Sequence, residues 1–309
     1  MELFHHQTKI DFMGLSKWTA GFSVLLTLVA LFFLFTKGLN FGLDFTGGTQ
    51  LELRYGQPVS VDAVRETLEH AGFHSVKVTQ FGSTRDILVK IANKGSGTEQ
   101  ELGQQVLQEL KSQAADIDLL KVEFVGSEVG EKLAEQGVLA VLVALLATMI
   151  YIALRFEYRF GISATVALMH DPIVILGIFS FWQIEFDLAT LAAILAVIGY
   201  SLNDTIVVYD RVRENFRKVR LGTSREIINL SINQTLSRTI MTSCLTLLVV
   251  IALYCFGGDS LHGFSLALII GIVIGTYSSI YIAGALALLM GLSRADLITH
   301  SKKVVDDMP

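Results

Sequence analysis

Charge is scarce in this chain. Of its 309 residues only 17% are Asp, Glu, Lys or Arg, while 52% are hydrophobic, a balance that excludes an ordinary soluble enzyme. Cysteine is scarcer still. Cys244 and Cys255 lie eleven positions apart in one apolar run, about 16 Å along a helix. That separation rules out a disulfide between them and leaves no cysteine spacing suited to a metal, so both are expected to be small buried apolar side chains. No HExxH, no G-x-S-x-G and no paired acids in protease wording occur. Neither enzymatic activity nor a cofactor is therefore expected.

What the chain has in abundance is long apolar runs, at 18–36, 136–154, 160–184, 188–209, 239–258 and 263–293. Each approaches or exceeds the roughly 20 residues needed to cross a bilayer core. The chain thus reads as a polytopic α-helical membrane protein with six transmembrane helices. The first, 18–37, follows a polar stretch (1–17) with no clear small-x-small cleavage site, and reads as an uncleaved anchor. Basic residues set the orientation. Lys9, Lys17, Arg155, Arg159, the seven bases from Arg211 to Arg238, and Arg294, Lys302 and Lys303 alternate with base-free connections at 185–187 and 257–262. The positive-inside rule then places both termini in the cytoplasm, with 294–309 as a cytoplasmic tail. Within 135–293, the segment 211–235 interleaves bases with apolar positions and is expected to form a cytoplasmic amphipathic helix on anionic headgroups. Nucleic-acid binding is not expected, since no fold for it accompanies the bases.

Residues 38–134 form the one long polar insert. Their alternation predicts strand 49–55, helix 61–72, strands 75–82 and 85–92, helix 98–115 and strand 119–125, with Ser60 and Thr98 at N-caps and Gly72 and Gly95 at junctions. This β-α-β-β-α-β order predicts a ferredoxin-like α+β extracytoplasmic domain between the first two spans. His70 and His74 are isolated and read as surface or satisfied residues. Ahead of the domain, Gly47 and Gly48 follow Asp44; a hinge and a tight positive-φ turn with Asp44 bonding nearby amides stand side by side as readings.

Polar residues inside the spans are the functional suspects. Asp204 lies alone between Asp187 and Asp210, about 9 Å of helix from the charged end, too deep for a short carboxylate to escape easily. Ser201 and Asn203 stand beside it. In the third span Pro172 predicts a kink whose freed backbone groups Asp171 could satisfy; the alternative is a proton-accepting His170–Asp171 pair. In the fifth span Arg238 reads either as an interfacial anchor or as the partner of Asp204, with Thr239, Thr242, Ser243 and Thr246 continuing a polar stripe inward. In the sixth, Gly271, Gly275, Ser279 and Ala283 make a small-residue packing face. Both that face and Asp204 call for cover by protein rather than lipid.

The wording GYSLNDTIVVYDRVREN at 199–215 resembles the fourth transmembrane helix of the SecD/SecF family of protein-export membrane proteins. FGLDFTGGT at 41–49, the His170-Asp171-Pro172 step and NQTLSRTIMTS at 233–243 extend the resemblance over nearly the whole chain. It implies membership of the resistance-nodulation-division (RND) superfamily and residence in the bacterial inner membrane. It further implies a heterodimer with SecD at the SecYEG translocon, where the proton-motive force helps draw unfolded polypeptide outward. Asp204 and Arg238 would carry the proton pathway, supported by Ser201, Asn203, His170, Asp171, Thr239 and Thr242. The rival reading is a half-size RND-type proton-driven small-molecule transporter; such transporters usually hold two six-span halves in one chain.

Overall fold

The computed structural model describes residues 8–73, 76–91, 99–113, 116–219, 221–258 and 261–292; expectations placed on His74, Gly95, Thr98 and the tail 294–309 lie outside them. The chain opens with a 3-10 turn (Phe12–Leu15) and α1 (Ser16–Thr36), then a short strand β1 (Asn40–Phe41) and a one-turn helix α2 (Leu43–Thr46). The insert follows as β2 (Gly48–Tyr55), α3 (Val61–His70), β3 (Val76–Phe81), β4 (Ser83–Ile91), α4 (Glu99–Gln113) and β5 (Ile117–Val125). Next come α5 (Ser127–Arg155), α6 (Tyr158–Trp182), a strand β6 (Glu185–Phe186), α7 (Leu188–Lys218) and α8 (Ser224–Phe256). The last span joins α9 (His262–Tyr277), a π-helical turn (Ser278–Ile282) and α10 (Ala283–Leu289). Among the described residues six helical stretches are long and apolar enough to cross a membrane.

Spans three, four and six make the packed centre. Their apolar windows are 61, 44 and 50% buried, against 11, 11 and 17% for spans one, two and five. The reason is visible at α9. A Cβ on Gly271 would stand 2.2 Å from Val197, and one on Gly275 3.0 Å from Ser201, so α9 lies directly on α7. The small-residue face is thus covered within this chain, not by a partner.

The insert is a four-stranded antiparallel sheet in the order β3-β4-β2-β5 with α3 and α4 on one face. Alternation explains the layering. Leu51, Leu53, Val78, Ile87, Val89 and Ile91 point into a core shared with Val64, Leu68, Val106 and Leu110, while Gln50, Glu52, Lys77 and Lys90 line the other side. That polar side closes a cleft of about 570 Å3 over the connections between spans. Ser60 caps α3 by accepting the Ala63 amide at 3.2 Å.

Two joints tie the insert to the spans, the first not expected from sequence and the second at the expected Gly47–Gly48 pair. First, β1 pairs in parallel with β6 (Asn40 opposite Glu185, Phe41 opposite Phe186), and the Phe45 ring stacks on Phe186. Asp44 does not serve its own turn: its Oδ2 accepts the Leu188 amide at 2.9 Å, at the N-terminus of α7. Second, Gly47 (φ +70) is pressed against the start of α5, where an added Cβ would lie 2.6 Å from the Ser127 Cα. Gly48 (φ 141) also lies in the positive region. The positive φ of the turn reading is present at both glycines, whereas its Asp44 contact to nearby amides is replaced by the bond to Leu188.

Other expectations are corrected. Residues 211–235 do not form a separate surface helix: α7 continues to Lys218 and α8 begins at Ser224. Thr223 and Glu226 form a reciprocal capping box that starts α8 inside the expected amphipathic segment. Several bases there are engaged by protein, Arg211 donating to Gln234 at 2.7 Å and pairing with Glu214, and Lys218 also pairing with Glu214. Cys244 and Cys255 are exposed on the outside of α8, not buried, since apolar character in a span does not distinguish a lipid-facing side from a packed one.

Glu185 clasps the insert through Lys77 at 2.9 Å and Lys90 at 2.5 Å. Burial pushes its carboxyl up, but the hydrogen bond and charge of Lys90, with Lys77, outweigh this and hold it below the ordinary 4.5. A depressed carboxylate contributes fully above its unfolded value and loses that contribution as pH falls through the folded one. Acidification below 4.5 is therefore expected to release the insert from the spans, read as faster proteolysis near Lys77. Glu185→Gln should show that release already at neutral pH. Separately, Gly47→Ala should cost about 1–3 kcal/mol through forced positive φ and clash, measured as a lower thermal midpoint; an unchanged midpoint would show that the junction yields.

Candidate functional site

The buried polar centre is built around Asp171, which is fully enclosed. Its Oδ2 accepts from Ser201 Oγ at 2.5 Å and Ser278 Oγ at 2.9 Å, and its Oδ1 lies 3.0 Å from His170 Nδ1. Three spans thereby converge on one carboxyl group, α6 through Asp171, α7 through Ser201 and the sixth through Ser278. Asp171 does not satisfy backbone freed by Pro172, as the kink reading supposed; its partners are side chains on other helices. Around it, Thr205 and Ser279 share a hydrogen bond of 2.9 Å, and Ser279 donates to the Ser201 carbonyl at 3.2 Å. The π-helical turn begins at Ser278, where the extra residue per turn presents Ser278 and Ser279 together to α6 and α7.

Asp204 sits one turn beyond Ser201 on the same helix and is 3% exposed. Its Oδ2 has no hydrogen-bond partner among the described residues. No hydrogen bond or ion pair joins it to Arg238 on α8, and Arg238 is exposed. The expected Asp204–Arg238 contact is thus absent in this single chain. Burying a carboxyl oxygen without a donor costs several kcal/mol, so Asp204 is the strongest mark of unfinished chemistry in the spans.

The polar stripe on α8 divides. Thr239 and Ser243 are buried, and Ser243 bridges α7 and α9 by contacts to Tyr200 (3.3 Å) and Thr276 (2.8 Å). Thr242 faces outward and donates back to the Arg238 carbonyl at 3.0 Å. Asn203 is likewise exposed. Sequence reasoning brought together His170, Asp171, Ser201 and Asp204 as suspects but missed Ser278 and Thr205. An adjacent Ser278-Ser279 pair inside an apolar run was the available signal. The other nitrogen of His170, Nε2, is buried without a partner among the described residues, and the residue lines an apolar groove of about 420 Å3 between spans one, three and six.

A family model for the protein export membrane protein SecD/SecF, C-terminal, matches residues 105–293, and one for the SecD/SecF GG motif matches 32–59. The chain belongs to the SecD/SecF family. The protein translocase subunit SecF of Pseudomonas aeruginosa is 48% identical over 303 residues, covering 97% of this chain and 98% of that one. That of Escherichia coli O157:H7 is 46% identical over 301 residues, covering 96% and 93%. The crystal structure of SecDF, a translocon-associated membrane protein from Thermus thermophilus, superposes with a TM-score of 0.83 at 39% identity, covering 93% of this chain. The chain spans only 39% of the length of that SecDF chain. Within the family the GG-motif match contains the Gly47–Gly48 junction, and the C-terminal match contains the whole Asp171 centre.

Asp171→Ala would leave Ser201 without its acceptor and Ser278 with only the Gly275 carbonyl at 3.1 Å. A loss of about 1–3 kcal/mol for the unpaired donor should appear as a lower thermal midpoint in detergent, whereas Ser278→Ala alone should cost less. A midpoint unchanged in Asp171→Ala would remove Asp171 from the centre of the packing.

Proposed function

We propose that this chain assists Sec-dependent protein translocation across the bacterial inner membrane, drawing on the proton-motive force through Asp204. The observation that carries the reading is the enclosed Asp204 carboxyl, whose Oδ2 lacks a donor, one turn from a hydrogen-bonded centre linking three spans. A group of this kind gains or loses a proton at the expense of its surroundings, so its protonation can select between arrangements of the spans. One elementary charge crossing 100 mV supplies about 2.3 kcal/mol, enough to bias such an equilibrium nearly fiftyfold. Arg238 is the proposed counter-charge, held outside contact distance in this arrangement. Asp171, His170, Ser201 and Thr239 provide the packed polar surroundings.

The export role rests on the translocase names of the relatives. We take the insert as a ferredoxin-like unit on the periplasmic side, supported by its strand order, and both termini as cytoplasmic, supported by the distribution of bases. The positive-φ Gly47–Gly48 turn is the proposed hinge between insert and spans. SecD is the proposed partner, with the SecYEG channel and the emerging unfolded polypeptide beyond it. Exposed Asn203, Arg238 and Thr242, with an acid whose Oδ2 lacks a donor, mark the face for a second six-span unit, because such groups are not left to lipid. Chemistry at this site needs protons and no cofactor.

Asp204→Asn preserves shape and removes titration. It is expected to leave insertion and assembly intact while abolishing proton-dependent stimulation of export in membrane vesicles; unchanged stimulation would refute the assignment. Arg238→Ala should behave similarly and Arg238→Lys should retain part of the activity. Thr242→Cys, in a background lacking Cys244 and Cys255, should cross-link to SecD; cross-links only between copies of this chain, with export intact, would overturn the partner assignment.

A further inference from the structure

The segment ahead of α1 is fastened to the first turns of α8 by side chains that the proton site does not use. Asn233 holds both backbone groups of Ile10, its Oδ1 accepting the amide at 3.0 Å and its Nδ2 donating to the carbonyl at 2.8 Å. Asn229 works in the same way one turn earlier. Its Oδ1 accepts the Met13 amide at 2.9 Å, and its Nδ2 donates to Asp11 at 2.6 Å. Arg225, a further turn back, pairs with Asp11 at 2.6 Å. The hydrogen bonds from Arg225 and Asn229 hold the Asp11 carboxyl below its ordinary range.

Arg225, Asn229 and Asn233 recur every four residues and so share one face of α8. Asparagine is a poor interior helix residue because its amide competes for backbone. Two of them in consecutive turns, each bonding a backbone amide of the same segment, are accounted for by that segment. Between the tethers, Phe12 (5% exposed) and Met13 (2%) insert into the core with Ile228 and Ile232, and Phe12 meets Tyr281 edge-on at 5.8 Å. α8 packs on the turn Phe12–Leu15, whereas α1 itself packs chiefly on α6, with Gly177 set against Ala30.

We propose that residues 10–14 are a strap that positions the Arg238-bearing helix relative to α1. The role assigned to Arg238 rests on the proton-site reading above; the mechanical link does not. Arg238 lies five residues past Asn233, about 7.5 Å along the helix. α1 continues into the Gly47–Gly48 junction and the insert. The strap therefore closes a route from Arg238 through α8 and α1 to the soluble domain. Asn229 and Asn233 are positioning residues, touching neither Asp204 nor Arg238.

The test uses the full chain in native membranes with its partners, lacking Cys244 and Cys255, and carrying Ile10→Cys with Asn233→Cys. While reduced, this pair should lose proton-stimulated export by about threefold to tenfold, as for one or two lost hydrogen bonds, with a shifted pH profile at unchanged chain abundance. Bridging the two thiols with a short cross-linker should restore both. A reduced pair with parental export and pH profile, or a bridged pair that is not restored, would overturn the strap. A second readout is independent of the proton site. Spin labels at Lys17→Cys and Thr242→Cys should show a broadened distance distribution when Asn229→Ala and Asn233→Ala are added, and an unchanged distribution would also overturn the strap. Retained stimulation in Asp204→Asn would instead defeat the proton-site reading and leave the spin-label result to judge the strap.

Discussion

Hydrocarbon offers no hydrogen bonds, so every polar group carried into the spans must find its partner in protein. The centre of this molecule follows from that constraint. Asp171 can be buried because Ser201, Ser278 and His170 surround it, and those residues can be brought close because Gly271 and Gly275 let α9 lie against α7. The π-helical turn at Ser278–Ile282 belongs to the same solution, since it brings two neighbouring hydroxyls to bear on facing helices. The polar centre adds to the apolar packing of Ile175, Phe179, Ile194 and Val197 that these spans already share.

Asp204 shows the same constraint left unmet. One turn from Ser201, which serves the satisfied acid, stands an enclosed acid with an unpartnered oxygen, and Arg238 is exposed. The two carboxyl groups on adjacent helices thus have opposite circumstances. Asp171 is fixed by several donors and holds the spans together. Asp204, lacking them, is free to respond to a proton or to a second protein. A stable hub beside a responsive group is a sound arrangement for work inside a membrane, because the change at one need not dissolve the packing at the other.

The insert is joined to the spans at both of its ends. Its entry and exit meet where Gly47 abuts Ser127, and its polar sheet face is drawn to the span connections by Glu185. The backbone pairing of Asn40–Phe41 with Glu185–Phe186 and the Asp44 cap on α7 stiffen the same corner. The N-terminus of α7 and the base of the insert thus share one set of contacts.

Much of this was legible in the residues. Six apolar runs, the β-α-β-β-α-β order, the solitary Asp204 and the His170-Asp171-Pro172 step are all local patterns, and local patterns follow from helix rise, strand alternation and the cost of charge in hydrocarbon. What tertiary structure alone decided is which side of each span meets protein. That choice buried Asp171 among serines, turned Thr242, Asn203, Cys244 and Cys255 outward, covered Gly271 with Val197, and carried 211–235 into two long helices. Nearly every residue of a span is apolar whether it faces lipid or a neighbouring helix, so periodicity is weak and the packed side cannot be read from composition. It emerges only when complementary small, polar and bulky positions on different spans are brought into register.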